Sequence, residues 1–388
     1  MKYLAVLGRQ PEISCAELSA QFGQVQVSGR KVAVFEANTP PEIDRLGGSL
    51  KIAEEIAGEP LDFLLNLPEG KITLGISDYS AKTNAKTATK IAIKLKNSLK
   101  KSKRSVRILP NSSAEISTAA ALHNGLGRKK NHLELIIVNG KWYRVIGVQN
   151  IEAYAARDQA RPARDARVGM LPPKLAQILI NLCGPLQPEA VVLDPFCGTG
   201  VVLQEALLMG YRAYGTDVSE RMTAYSRKNL QALSRSRPSG PSLRADGARP
   251  RPWPAESLDS AWRIFPADAT SATWQQPIDA VACETYLGPP MSLPPAEIKL
   301  KEAKQECQTI ILGFLKNLAG QIDAGTPVTI AVPAWLRPDG SYSRLNILDE
   351  IENLGYNVEK YSNLGDGGLL YHREGQVVAR EIIVLRKK

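Results

Sequence analysis

The sequence predicts an α/β protein of two units, the second a doubly wound sheet built around a ligand-holding turn. A chain of 388 residues is too long for one ordinary core. A polar, arginine-rich stretch ending in Pro172-Pro173 interrupts it near the middle. Beyond that stretch, apolar runs alternate with helical patterns to the C-terminus, and the run "AVVLD" leads straight into "PFCGTG".

The first unit mixes strands and helices and carries no nucleotide loop. "YLAVLG" reads as a strand. The helix "PEISCAELSAQFG" follows, with Pro11 at its start, Glu12 in its first turn and Gly23 closing it. Next come a strand, "KVAVFEA", and a second helix that includes "EIDRLGG". The pattern continues with "KITLGISDY" as a strand, a long lysine-rich helix, "SVRILP" as a strand and "SAEISTAAALHNGLG" as a helix. "LELIIVNG" and "KWYRVIGVQ" then form a hairpin turning at Asn139-Gly140. Trp142 and Tyr143 alternate faces in it, so one of them belongs to the core.

Charge narrows the class of partner. The formal net charge is +10, an excess that favours nucleic acid over an acidic protein surface. Between Asp78 and Glu115 there is no acidic residue, while Lys82, Lys86, Lys90, Lys94, Lys96, Lys100, Lys101, Lys103 and Arg104 crowd together. Lys86, Lys90 and Lys94 are four apart and share one helix face. A solvated helix gains from alternating signs at that spacing. A run of one sign therefore reads as a phosphate-contacting face, with a merely solvated face as the alternative.

Other classes drop out. At 44% hydrophobic residues the chain is of globular composition. Cys15, Cys183, Cys197, Cys283 and Cys307 lie far apart, which suits neither a disulfide framework nor a zinc site and favours a reducing compartment. His123, His132 and His372 are scattered and have no partner at metal spacing, so no metal is expected. The N-terminal apolar run is too short for a signal peptide, and no segment reaches the length of a membrane span. A cytoplasmic protein is expected.

Residues 151–172 read as a linker in which Arg161, Arg164, Asp165 and Arg167 could touch RNA phosphate or orient the helix "KLAQILINLCG". Residues 234–257, rich in Pro, Ser, Gly and Arg, read as a mobile surface insertion. "VVLDPFCGTGVVLQEALLMG" is strand, glycine turn, helix. Gly198 and Gly200 let backbone approach a ligand closely. The dinucleotide pattern fails because Leu203 stands where its third glycine belongs, and a phosphate loop would need Gly-Lys-Ser/Thr. Asp194 instead ends the strand at the turn, where it would repel a pyrophosphate and accept from an amine. The next strand, "RAYGTDVS", ends in Asp217, placed to accept from both ribose hydroxyls. "RIFPADAT" carries Asp268, a candidate acceptor for an adenine amino group. Three acids at successive strand ends beside a glycine turn describe a site for S-adenosylmethionine.

"DPFCGTG" resembles the first motif of class I Rossmann-like methyltransferases that act on exocyclic amines. With the basic N-terminal region, "RPARDARVGMLPPKLAQ" and "YHREGQVVAREIIVL", the chain is similar to the THUMP-domain tRNA guanine-N2 methyltransferases that act on guanosine at position 10. The resemblance implies a Rossmann-like domain over 171–388 with a mostly parallel seven-stranded sheet. A linker at 151–170 and an RNA-binding module at 1–150 would precede it, the module having a ferredoxin-like N-terminal part and a THUMP fold. It implies S-adenosylmethionine as cofactor, tRNA as substrate, a monomeric chain, and room for a small activating protein such as eukaryotic relatives use. Asp194, Phe196, Gly198, Gly200, Asp217 and Asp268 form the expected cofactor set. Lys86, Lys90, Lys94, Lys101, Arg104, Arg161 and Arg164 form the expected RNA set.

In that family the fourth strand ends in Asp-Pro-Pro-Tyr, whose acid accepts from the amine while the ring stacks on the flipped base. Here "IDAVACETYLGPP" offers Glu284 as the acid. Tyr286 comes one residue earlier than the family's aromatic, whose place Leu287 fills. The alternatives are a DNA amino-methyltransferase, which shares the chemistry and the first motif, and an RNA-binding or assembly protein whose site has drifted.

Overall fold

The computed structural model describes residues 1–165, 170–235, 261–361 and 368–388. The described residues divide into two compact units, one running from Met1 to Tyr154 and the other from Ala155 to the C-terminus. Both are α/β with mixed sheets. Arg167 and residues 236–260, most of the expected insertion, lie outside the described residues.

The first unit holds eight strands: β1 (Lys2–Leu7), β2 (Val25–Val27), β3 (Val32–Glu36), β4 (Ser49–Glu55), β5 (Ile72–Asp78), β6 (Val106–Ile108), β7 (His132–Val138) and β8 (Lys141–Val148). They form one sheet in the order β2-β3-β1-β4-β8-β7-β5-β6. Its only parallel pairings are those of β5 with β6 and with β7. The expected hairpin is there, with Asn139 and Gly140 both left-handed at φ 49° and 82°. Tyr143 is its core aromatic.

Helices α1 (Pro11–Phe22), α2 (Pro60–Leu65), α3 (Ala85–Lys101) and α4 (Thr118–His123) complete the unit. Asn84 caps α3, its side-chain oxygen accepting from the Thr87 amide at 3.0 Å. Ala88, Ala92, Leu95 and Leu99 are its buried stripe.

Two helical expectations need correction here. "EIDRLGG" supplies one 3₁₀ turn, Ile43–Arg45, and then β4, a strand the pattern did not announce. Tertiary bonds decide this: the buried Glu17 carboxylate accepts from the amides of Gly47 and Gly48 at 2.9 and 2.8 Å. A side chain at Gly48 would strike Ser14, its Cβ coming within 2.9 Å of the Ser14 Cα. "SAEISTAAALHNGLG" is helical only over the six residues of α4, because Ile116 is held ahead of it, its amide donating to the Ser77 hydroxyl at 2.8 Å.

That bond belongs to a buried ionic group. Lys51 Nζ donates to both oxygens of Glu134, at 2.6 and 2.8 Å, and to the Ile116 carbonyl at 2.6 Å. Ser77 also donates to Glu134 at 2.6 Å. Every member has partners, as a buried charge requires.

The second unit begins within α5 (Ile151–Gln159). The expected linker thus opens as a helix, capped by Asn150, which accepts from the Ala153 amide at 3.1 Å. The elements that follow are α6 (Pro173–Leu182), β9 (Val191–Asp194), α7 (Val201–Leu208), β10 (Arg212–Asp217), α8 (Glu220–Arg235), β11 (Trp262–Pro266) and β12 (Ala280–Glu284). After them come α9 (Glu297–Ala319), β13 (Pro327–Leu336), β14 (Tyr342–Ser343), α10 (Leu348–Asn353), β15 (Tyr356–Val358), β16 (Leu369–Tyr371) and β17 (Val378–Lys387). Seven strands run in the order β11-β10-β9-β12-β13-β17-β15, and β14 and β16 add to it off that path, making nine. Strands β11 to β13 are parallel to one another, and β17 opposes both of its neighbours on the path.

Helices cover both faces of this sheet. Leu193, Val281, Cys283, Ile330 and Val332 pack with Ile311, Phe314 and Leu315 of α9. Thr329, at the alternate position, meets Cys183 at the end of α6. β9 starts the sheet and β12 lies on its far side from β10, so the strand order reverses between β9 and β12. In open α/β sheets that reversal leaves a crevice beyond the strand ends.

Candidate functional site

Asp194 ends β9 at that reversal and is 2% exposed. Its Oδ1 accepts from the Phe196 amide at 3.1 Å. Burial pushes its carboxyl well above the usual range; the Phe196 bond pulls it down, and the charges of Asp217 and Glu284 push it up again. The turn after it closes through Gly200, whose amide donates to the Cys197 carbonyl at 2.7 Å. Gly198 and Gly200 sit at φ 50° and 83°, a region that a side chain disfavours. A Cβ on Gly200 would come 2.9 Å from Ser226 Oγ, whereas one on Gly198 would meet nothing nearer than 3.9 Å. The loop is therefore packed hard on one side and open on the other.

Asp217 ends β10 and ties itself to the same loop. Its Oδ2 accepts from the Gly198 amide and its Oδ1 from the Ser219 amide, both at 2.9 Å. Burial raises its carboxyl above the usual range, and the two amides lower it. Each oxygen retains a lone pair for a ligand hydroxyl. Val218, next along, is 75% exposed, an apolar surface beside the acid. Phe196 is half-buried and meets Phe314 edge-on at 5.2 Å. Asp268 is exposed, and its Oδ1 already accepts from the amide and hydroxyl of Thr270, each at 2.8 Å.

Glu284 ends β12. Its Oε1 accepts from Arg380 Nε at 2.6 Å, the two side chains being 15% and 4% exposed. Burial raises the Glu284 carboxyl, and the guanidinium lowers it. Thr285 turns inward, bonded to the Ala331 carbonyl by its amide and its hydroxyl. Tyr286 is half-buried against the core beside α9, its hydroxyl donating to Glu306 Oε1 at 3.2 Å. Gly288 follows at φ 82°.

The stretch before α6 is built into this site. Arg161 is 7% exposed, with Nη1 3.3 Å from the Thr199 hydroxyl of the glycine loop and Nη2 3.6 Å from Asp158. It faces the loop and not solvent, which is no position for a phosphate contact. Asp165 accepts from Arg221 at 2.6 Å, and Arg164 is exposed. Asn229 of α8 joins the two segments: its amide exchanges bonds with Ala163 and donates to the Thr199 carbonyl, all at 2.9 Å. Ser226, three residues earlier, donates to the Gly198 carbonyl at 2.7 Å. Sequence reasoning missed Ser226, Asn229 and Arg380. The first two share a helix face with a spacing of three, but a polar residue on a helix is too common a signal to be read alone.

The basic residues of α3 belong to the first unit. Lys86, Lys90, Lys94 and Lys101 are exposed, and none forms an ion pair among the described residues. Arg104 is different: it is half-buried and donates to the carbonyls of Leu67 and Pro68 at 3.1 and 2.9 Å. His132 Nδ1 donates to the Asn124 carbonyl at 2.7 Å, and His372 lies against Tyr342, both structural contacts. All five cysteines are buried and unpaired. No described helix is long and apolar enough to cross a membrane.

Comparison with known proteins gives several likenesses. Residues 161–239 match the family model described as the RMKL-like methyltransferase domain. The chain is similar to the tRNA (guanine(10)-N2)-dimethyltransferase of Methanothermobacter thermautotrophicus, 27% identical over 46% of this chain and 44% of that protein. It is also similar to the protein of the same name from Pyrococcus abyssi, 43% identical over 16% of this chain and 18% of that one. The matches thus span less than half the length of these curated relatives. Among solved structures, TrmN from Thermus thermophilus is 17% identical, with full coverage of both chains and a TM-score of 0.48.

Proposed function

We propose that the chain is an S-adenosylmethionine-dependent methyltransferase acting on the exocyclic N2 of a guanosine in tRNA, at position 10. The observation that carries this reading is the gathering of Asp194, Asp217 and Glu284 around a glycine turn at the reversal of strand order. Carboxylates gathered there, one buried and two partly withdrawn from solvent, repel one another and favour a cationic ligand over a pyrophosphate. The names of the relatives support the nucleoside and its position.

The residues present fit S-adenosylmethionine. Asp194 would accept from its ammonium group and Asp217 from its ribose hydroxyls, with Val218 against the purine. The open side of Gly198 leaves room for the ligand, and Phe196 closes the floor. Asp268 would meet the adenine amine with the acceptor capacity that Thr270 leaves. When bound, the cofactor supplies a methyl group already electrophilic on its sulfonium, so no metal is needed. Glu284 would accept from the guanine amine, whose lone pair is otherwise delocalised into the ring, and hold it in line. Tyr286 would stack on the base from the edge of α9.

We read residues 1–150 as a ferredoxin-like part and a THUMP fold sharing one sheet, 151–170 as the connection and 171–388 as the catalytic domain. Lys86, Lys90, Lys94 and Lys101 would grip tRNA by phosphate and shape, with Arg164. Arg104 and Arg161 would serve instead as braces, one for the start of β6 and one for the glycine loop.

The test is transfer of labelled methyl from S-adenosylmethionine to unmodified tRNA, followed by nucleoside digestion and mass spectrometry. N2-methylguanosine is the expected product, as the mono- or dimethylated nucleoside. Preferential labelling of duplex DNA would replace this reading with a DNA amino-methyltransferase. Cofactor binding without transfer to any nucleic acid would leave a drifted RNA-binding protein.

A further inference from the structure

Glu284 and Arg380 are the least expected neighbours in the second unit. They lie on β12 and β17, with β13 between them. Ala331 of β13 stands opposite Glu284 and Pro333 opposite Arg380, so the arginine reaches across one strand to the acid. Both side chains are largely withdrawn from solvent, and Nε meets Oε1 at 2.6 Å. Neither Oε2 nor the two Nη atoms take a second protein partner among the described residues. The charged and titratable groups around Glu284 are Asp194 from β9, Cys283 from its own strand and Arg380 from β17. Glu381, beside Arg380, is occupied by Arg344 at 3.0 Å.

We propose that Arg380 is a positioning residue for the reaction: it keeps Glu284 ionised beside Asp194 and, by filling Oε1, leaves Oε2 as the acceptor of the amine proton. This rests on the methyltransferase reading above. Two buried carboxylates cannot both stay charged cheaply, and a protonated Glu284 would donate where it must accept. A glutamate also has one more rotatable bond than an aspartate, freedom that a charge-assisted bond to Oε1 removes. With Glu284 so held, the amine nitrogen forms its bond to the methyl carbon as the carbon–sulfur bond breaks. The sulfur keeps that electron pair, and one amine proton passes to Oε2 and on to water.

The experiment compares the wild type with Arg380→Met and Arg380→Lys by two readouts. The first is carbon-13 NMR titration of the Glu284 carboxyl in protein labelled at glutamate, assigned with Glu284→Gln. The second is the pH profile of kcat. In Arg380→Met the carboxyl midpoint should rise by about one pH unit or more, and the acid limb of kcat should rise with it. Activity at a fixed pH on that limb would fall about tenfold per unit of displacement and recover at higher pH. Arg380→Lys, which keeps the charge, should restore the midpoint and part of kcat. Unchanged S-adenosylhomocysteine affinity in all three proteins would report an intact fold. An unmoved carboxyl midpoint in Arg380→Met, or a loss of kcat uniform across pH, would overturn the proposal. If the wild type methylates no nucleic acid, the functional reading fails, and the NMR titration still decides whether Arg380 governs Glu284.

Discussion

Asp194, Asp217 and Glu284 have different tasks, and their surroundings predict different losses. Asp217 is built into the loop by two amides, so Asp217→Ala removes a ligand acceptor and a strut together. Cofactor binding should be abolished in a calorimetric titration, while tRNA affinity stays within about twofold, since the lysines proposed to grip phosphate lie on α3 in the other unit. Glu284→Gln should bind cofactor normally and lower kcat by about a hundredfold to ten-thousandfold, the range for losing a positioned base. Asp194 predicts a pH dependence. Its carboxyl is raised in the free protein, so it holds a proton at pH values where an ordinary carboxylate is charged. A cationic ligand favours the ionised form. Affinity for S-adenosylmethionine should therefore fall as pH drops through the raised midpoint, by up to about tenfold per unit, and level off above it. The sign for stability is the reverse. A carboxyl raised on folding makes the free fold lose stability as pH rises from the ordinary carboxylate range to that midpoint. Dissociation constants and, separately, unfolding free energies of the free protein measured across that range, with Asp194→Asn as a flat reference, test the two in turn.

Among the elements, α3 has the sharpest pattern. Its buried stripe of Ala88, Ala92, Leu95 and Leu99 anchors it, and Lys86, Lys90 and Lys94 are exposed with no acid to pair among the described residues. Replacing those three by alanine should leave the fold and cofactor binding alone. It should reduce the slope of log affinity for tRNA against log salt by about 2 to 3. An unchanged slope would mean that the face is only solvated. The glycine loop is held differently, from three sides, by Asp217 of β10, by Ser226 and Asn229 of α8, and by Arg161. Asn229→Ala leaves the Thr199 carbonyl and both backbone groups of Ala163 short of a partner, a cost of about 1–3 kcal/mol per buried group left unpaired.

For the molecule as a whole, two compact units with separate cores predict that unfolding is not a single all-or-none step. Lys51→Met leaves Glu134 a buried carboxylate without its cation, a loss of about 3–5 kcal/mol confined to the first unit. S-adenosylhomocysteine at a hundred times its dissociation constant should stabilise the second unit by about 2.7 kcal/mol. Differential scanning calorimetry should therefore show the substitution lowering one transition and the ligand raising the other. A single transition that responds to both would mean that the units unfold together.

What the sequence by itself determined was local and periodic: the strands with β-branched runs, the Asn139-Gly140 hairpin, the one-sided basic helix, and the acids at the ends of β9, β10 and β12. These are legible because each signal lies within a few residues of its consequence. Tertiary structure decided the rest. It cut "EIDRLGG" to one turn because Glu17, thirty residues away, takes the Gly47 amide. It buried Arg161 in what composition marks as a linker, and it joined the first unit's strands in an order that hydropathy cannot encode. Above all it set Arg380 against Glu284 from 96 residues away. An ion pair across a strand leaves no spacing in the chain. Its cause is the packing of β12, β13 and β17 side by side, which exists only once the sheet has formed.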